Sequence, residues 1–253
     1  MTKPSIFTAF LLCVTLYVPL ALFGQSQDFT IDGTRLVRYR GNAADVTIPA
    51  GITTIGNDAF WRCSGLTNIT IPPSVTTIEN SAFWGCGSLT SVIIPEGVTA
   101  IENHTFLGCK SLADITIPDS VTSIEVHAFS GCASLTNISI PSSVISINLG
   151  AFSSCYSLTD ITIPTGVTSI AKHTFNRCRS LTSITIPTNI TSIGERAFEG
   201  CSGLTSVTIP DSVTSIGEYA FTLCRNLKTV TVSRKTRIGK GAIPDGAKIV
   251  YSD

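Results

Sequence analysis

Eight cysteines, Cys63, Cys86, Cys109, Cys132, Cys155, Cys178, Cys201 and Cys224, stand 23 residues apart without a slip. A thiol can act as nucleophile, metal ligand or disulfide partner, and its surroundings decide which. Zinc sites use close pairs such as Cys-x-x-Cys, and this chain has none. An even count in an exported chain suggests disulfides. Neighbouring copies about 5 Å apart would bring their Cα atoms within bonding range. Parallel side chains facing one way are poorly aimed for the disulfide torsion, however. The column therefore reads first as buried free thiols acting as small hydrophobes, with a disulfide ladder as the alternative.

His104, His127 and His173 share a second column, and Glu102 and Glu125 flank the first two. His and Glu on adjacent copies are a possible metal pair. The same column holds Asp58, Ser81, Gly150, Arg196 and Tyr219, the mixture expected of an exposed position, and no metal or cofactor is expected. Catalysis by a Ser or Thr nucleophile needs a base beside it and a group that orients the base. The many Ser and Thr residues sit in repeated columns without a matched His–Asp partner, so the chain does not read as an enzyme.

Behind these columns stands one repeated unit. Ile-Pro recurs with Pro at 49, 72, 95, 118, 141, 164, 187 and 210, and Phe recurs at 60, 83, 106, 129, 152, 175, 198 and 221, each step being 23 residues. An unbroken period of this length marks a stacked repeat protein. In Leu66–Pro72, Ile69 and Ile71 alternate with Asn68 and Thr70, the pattern of a short strand, and Pro72 ends it because proline cannot donate to a ladder. Val75-Thr-Thr-Ile78 reads as a second extended piece. Ala82-Phe83-Trp84-Gly85-Cys86 reads as one short helical turn facing the core. One unit cannot bury its apolar set alone, so the copies must stack. About nine rungs spaced 4.8 Å apart give a ladder roughly 40 Å long.

Residues 1–24 read as a signal peptide: Lys3 precedes an apolar run from Ile6 to Phe23, and polar Gln25-Ser26-Gln27 follows. An uncleaved anchor is the alternative, and no second apolar span is expected in the mature chain. Residues 28–47 read as an N-terminal cap hairpin turning at Asp32-Gly33, residues 48–232 as about eight repeats, and residues 233–253 as a degenerate last repeat and C-terminal cap. In that cap Ser233 replaces Pro, Ile243 replaces Phe, and Ile238 stands one residue short of the period. Basic and acidic residues balance at 17 each. That balance gives no footprint for nucleic acid or an anionic membrane.

These residues resemble the BspA-type (Treponema-type) leucine-rich repeats, whose unit reads roughly LxxIxIPxSVxxIxxxAFxxC. The match runs over about 48–232 and is carried by Ile-Pro, Val/Ile-x-x-Ile, Ala/Thr-Phe and Cys in eight registers. The resemblance implies a right-handed leucine-rich-repeat solenoid. It also implies a secreted or cell-surface protein of bacteria or certain mucosal protozoa, of a kind often linked to adhesion to host proteins or other cells.

The expected function is therefore binding of a protein or glycan partner. Candidate contacts are the outward strand positions Thr70, Ile93, Thr116, Thr162, Thr185 and Thr208, and the stacked pair Trp61 and Trp84. The bland alternatives are that the threonines solvate a sheet and that the tryptophans shield Phe60 and Phe83. Arg177, Arg179, Arg196, Arg225 and Lys172 form a modest basic cluster that reads as a solvated edge. The competing class is a structural, self-associating surface component. An ice-binding protein is a remote alternative, because Thr229 and Thr231 alone form a Thr-x-Thr pair on that face.

Overall fold

A computed structural model describes residues 28–252. The leader expected at residues 1–24, together with Cys13, lies outside the described residues. The chain winds into a parallel β-solenoid of about nine turns, one per 23-residue unit. Among the described residues no helix is long and apolar enough to cross a membrane.

The solenoid opens on an antiparallel hairpin, β1 (Phe29–Asp32) and β2 (Arg35–Tyr39). Its two-residue loop is Gly33-Thr34, one position later than the Asp32-Gly33 turn expected from sequence. Asp32 pairs with Arg35 across the turn, and Gly33 takes φ 57°, which a residue without Cβ adopts freely. Phe29 and Tyr39 are buried with ring centroids 5.1 Å apart, and Tyr39 lies 5.3 Å from Phe60. The hairpin thus covers the apolar face that the first rung would otherwise expose.

Two strand ladders follow the coil. The first pairs Asp45–Thr47, Asn68–Thr70, Ser91–Ile93 and Asp114–Thr116, all parallel. It resumes at Ser206–Thr208, Thr229–Ser233 and Lys248–Ser252. Between these groups the expected strand is absent at 137–139, and a single bridge, Thr162 to Thr185, marks the next two rungs. Ile138, Ile161 and Ile184 are still buried there. The in–out alternation persists while the regular ladder bonds do not close.

The second ladder consists of two-residue strands, from Thr54–Ile55 to Arg237–Ile238, one per turn. The missing residue before Ile238 is absorbed here, since Ile216 pairs with Ile238. The ladder has two seams. No strand pairing joins Thr77–Ile78 to Ala100–Ile101, or Ser146–Ile147 to Ser169–Ile170. Elsewhere each rung adds a regular bond, such as Glu125 N–H to Ile101 O at 2.8 Å and Asn148 N–H to Ile124 O at 2.9 Å. Both seams precede a rung in which Thr replaces the corner alanine, at Thr105 and Thr174. Each of these threonines is buried and donates its hydroxyl to its own rung, Thr105 to Glu102 O at 2.8 Å and Thr174 to Ala171 O at 2.9 Å. A β-branched residue in a corner sized for Ala needs extra room, and its local hydroxyl bond ties the rung to itself.

The corner is a run of turns, not the helical turn expected from sequence. Alternate N–H groups leave the rung. His127, Phe129 and Gly131 donate to Leu149, Ala151 and Ser153 of the next turn at 2.8–2.9 Å, while Ala128, Ser130 and Cys132 donate three residues back at 3.1–3.2 Å. His127 and Gly131 have φ of 53° and 76°. Left-handed residues interrupt any right-handed helix.

The core is a set of columns. The eight phenylalanines are buried and stack along the axis with centroids 5.0–5.8 Å apart, the widest step being Phe152 to Phe175 at the second seam. Each thiol from Cys86 to Cys224 donates to the carbonyl of a Phe one rung back, as Cys132 does to Phe106 O at 3.3 Å.

Candidate functional site

Two left-handed columns shape the outer corner. In one, Asp58, Ser81, His104, His127, His173, Arg196 and Tyr219 all have φ between 53° and 59°, and Gly150 has 63°. In the other stand Arg62, Ser154, Arg177 and Leu223, with Gly85, Gly108, Gly131 and Gly200 between them. Asp, Asn and His tolerate this region better than most side chains, and Gly enters it freely. The histidine column is therefore selected by backbone conformation as much as by exposure, a point the sequence reading missed. Its signal was present in the Asp, His and Gly that the column collects.

The side chains of this corner stack along the axis. Trp61 and Trp84 meet edge to face with centroids 6.5 Å apart. Trp84 then stacks on His104 at 6.2 Å, and His104 on His127 at 5.6 Å. Gly150 ends the run, for a Cβ there would collide with the His127 ring. The guanidinium of Arg62 lies 4.7 Å from the centre of the Trp61 ring and that of Arg38 lies 5.7 Å from it, within cation–π range. Trp84 is 37% exposed, and Trp61 is half-buried. The result is an aromatic stripe flanked by arginines over the first rungs.

Burial, with the His127 ring beside it, pushes the His104 imidazolium below its ordinary 6.5. Burial and the neighbouring Glu125 raise the Glu102 carboxyl. Among the described residues no group of three His, Cys, Asp or Glu is placed to hold a metal ion. With its folded pKa below the unfolded value, His104 binds its proton more readily when unfolded. Its contribution is full above pH about 6.5 and is lost as pH falls through the folded value. The melting temperature of the parent is thus expected to fall more between pH about 7 and 5 than that of His104→Asn. At neutral pH, His104→Asn should melt near the parent, whereas His104→Val should lose about 1–2 kcal/mol, the cost of a β-branched residue held left-handed. Denaturant titration of the two variants checks the pair.

The expected strand-face residues form a separate set. Thr70, Thr116, Thr162, Thr185 and Thr208 are exposed, and Ile93 is 72% exposed among them. They point away from the same core that the corner encloses from another side. The structure thus brings Trp61 and Trp84 together and aligns the threonines with Ile93, but it keeps the two groups on different faces of the coil.

The basic cluster is more concave than the sequence suggested. Arg177, Arg179, Gly200, Ser202, Leu223 and Arg225 line a groove of about 540 Å³ on the later rungs.

The family profile of BspA-type leucine-rich repeats matches residues 37–159 and 145–249, in six copies. The chain is a BspA-type leucine-rich repeat protein. Among solved structures, this repeat protein is similar to a leucine-rich repeat protein from Bacteroides ovatus. That likeness has 28% identity and a TM-score of 0.71 and covers 89% of this chain and 71% of that one. It is also similar to the T. pallidum leucine-rich repeat protein, with 28% identity, a TM-score of 0.65, and coverage of 80% and 89%. Comparison with curated proteins gives no match.

Proposed function

We propose that this BspA-type repeat protein is an exported, non-enzymatic binding protein that recognises a protein or glycan partner, in the manner of an adhesin. The observation that carries this reading is the Trp61–Trp84 pair. Later turns fill the same corner position with Ser130, Ser153, Glu199 and Thr222, so the fold does not require an indole there. Exposed aromatics beside arginines are the composition of binding hot spots. The threonine face around Ile93 offers a second, flatter contact surface. The export component rests on the apolar run from Ile6 to Phe23 after Lys3.

The test probes immobilised extracellular-matrix proteins and a glycan array with the chain and with the double variant Trp61→Ala, Trp84→Ala. The variant is expected to lose about tenfold or more in affinity while its melting curve stays close to the parent's. Intact binding with a lowered melting temperature would make the tryptophans a shield for Phe60 and Phe83 and sink the reading. Concentration-dependent sedimentation without any captured ligand would favour a self-associating structural component.

A further inference from the structure

The balanced total charge hides a strong segregation along the axis. Residues 28–169 carry five basic and eleven acidic side chains, whereas residues 170–240 carry ten basic and four acidic. The groove of Arg177, Arg179 and Arg225 lies within the basic part and has no carboxylate in its lining. Arg177, Arg179 and Arg225 are exposed, and none of them makes an ion pair among the described residues. Glu199, whose backbone carbonyl accepts from Arg177 N–H, has its carboxylate already occupied, accepting from Asn176 Nδ2 at 3.0 Å with Arg196 Nε at 3.8 Å.

The arginines also differ in how they are held. Arg179 lies 4.9 Å from the centre of the Tyr156 ring, a contact that restrains an otherwise exposed side chain. Arg177 is fixed at its backbone by a left-handed φ of 62° and by donation of its N–H to Glu199 O. Arg179 and Arg225 share one column two rungs apart, about 10 Å at the usual strand spacing, with Ser202 between them. Guanidinium forks match sulfate and carboxylate oxygens. Their repetition along the axis suits a ligand whose anions also repeat along a chain.

We propose that this groove is a binding site for a sulfated or carboxylated oligosaccharide laid along the solenoid axis. The site is separate from the Trp61–Trp84 stripe and does not depend on the role given to it. The competing occupant is the acidic half of a second copy of this chain.

Titration calorimetry with a heparin-derived oligosaccharide at about 150 mM salt tests the site, with an uncharged dextran of the same length as control. The triple variant Arg177→Gln, Arg179→Gln, Arg225→Gln is expected to bind at least about tenfold more weakly and to show a shallower salt dependence. A second triple, Lys228→Gln, Lys235→Gln, Lys240→Gln, removes the same charge outside the groove and is expected to stay within about threefold of the parent. Equal losses in the two triples would reduce the site to diffuse charge and overturn the proposal. So would displacement of the oligosaccharide by inorganic sulfate at equal anion concentration. Absence of glycan binding, with a parent dimer that the arginine triple abolishes in sedimentation, would assign the groove to self-assembly. All six positions are exposed, and circular dichroism of each triple confirms that the fold is kept.

Discussion

Replacing Phe129 with alanine is expected to lower the free energy of unfolding by about 3–5 kcal/mol. Phe129 is 0% exposed and lies between Phe106 and Phe152, with ring centroids 5.5 and 5.4 Å away. Truncation removes the transfer energy of the ring and leaves a void whose floor and ceiling are other rings. Those neighbours are held by backbone bonds to the following turn, Phe106 N–H to Ala128 O at 2.8 Å and Phe152 N–H to Thr174 O at 2.9 Å. The column cannot close the gap by sliding, which places the loss at the upper end of what large-to-small changes cause. A urea titration with an unchanged midpoint would contradict the stacked core.

The second large effect concerns reactivity. At pH about 8 the folded chain is expected to leave its thiols from Cys86 to Cys224 unalkylated by iodoacetamide for hours. Addition of denaturant should release those seven, giving eight reactive repeat thiols in total with Cys63, without any reductant. All eight are free, and seven are buried, Cys63 being half-buried. Burial pushes the Cys109 and Cys178 thiols up from 9.0 to about 12, so about one in ten thousand is ionised at pH 8, and the thiolate is the reacting form. Each thiol from Cys86 to Cys224 also donates its proton to a Phe carbonyl one rung back, at 3.0–3.3 Å. Fewer than eight thiols in the denatured, unreduced chain would establish cross-links along the column.

Much of this architecture was legible because the period never slips. Pro72 and its copies end a strand, Val75 and Ile78 point inward, and Phe83 anchors the corner. Each of these rests on one local rule repeated eight times. The corner itself was misread. Ala82, Phe83 and Cys86 have helical spacing, but spacing alone does not reveal that Ser81 and Gly85 are left-handed and that alternate N–H groups bond to the next turn. The missing strand at 137–139 had no signal, since Asn137, Ile138 and Ser139 alternate as well as Asn68, Ile69 and Thr70 do. At the candidate site, the adjacency of Trp61 and Trp84 followed from the register. Their continuation into His104 and His127 did not, because it depends on rotamers. The charge segregation could have been found by counting charges in each half; the total of zero concealed it.

The two seams give the coil an articulated character. Rungs within a block are clamped by ladder, corner and core, but across each seam the second ladder contributes nothing. At the first seam the first ladder still closes, Asn68 pairing with Ser91, whereas at the second only corner bonds such as Phe152 N–H to Thr174 O at 2.9 Å, the Thr159 N–H to Thr136 O bond at 2.9 Å and the stacked rings join the rungs. Flexure under load is therefore concentrated at the second seam, where neither ladder forms a strand pairing, rather than spread along the rod. The Trp61–Trp84 pair rides on the first block and the arginine groove on the last, so a ligand long enough to reach both would set the angle between them. Two buried threonines, each differing from its neighbours in the column by a hydroxyl and a methyl group, thus mark where the second ladder parts, and the later of them, Thr174, marks the joint.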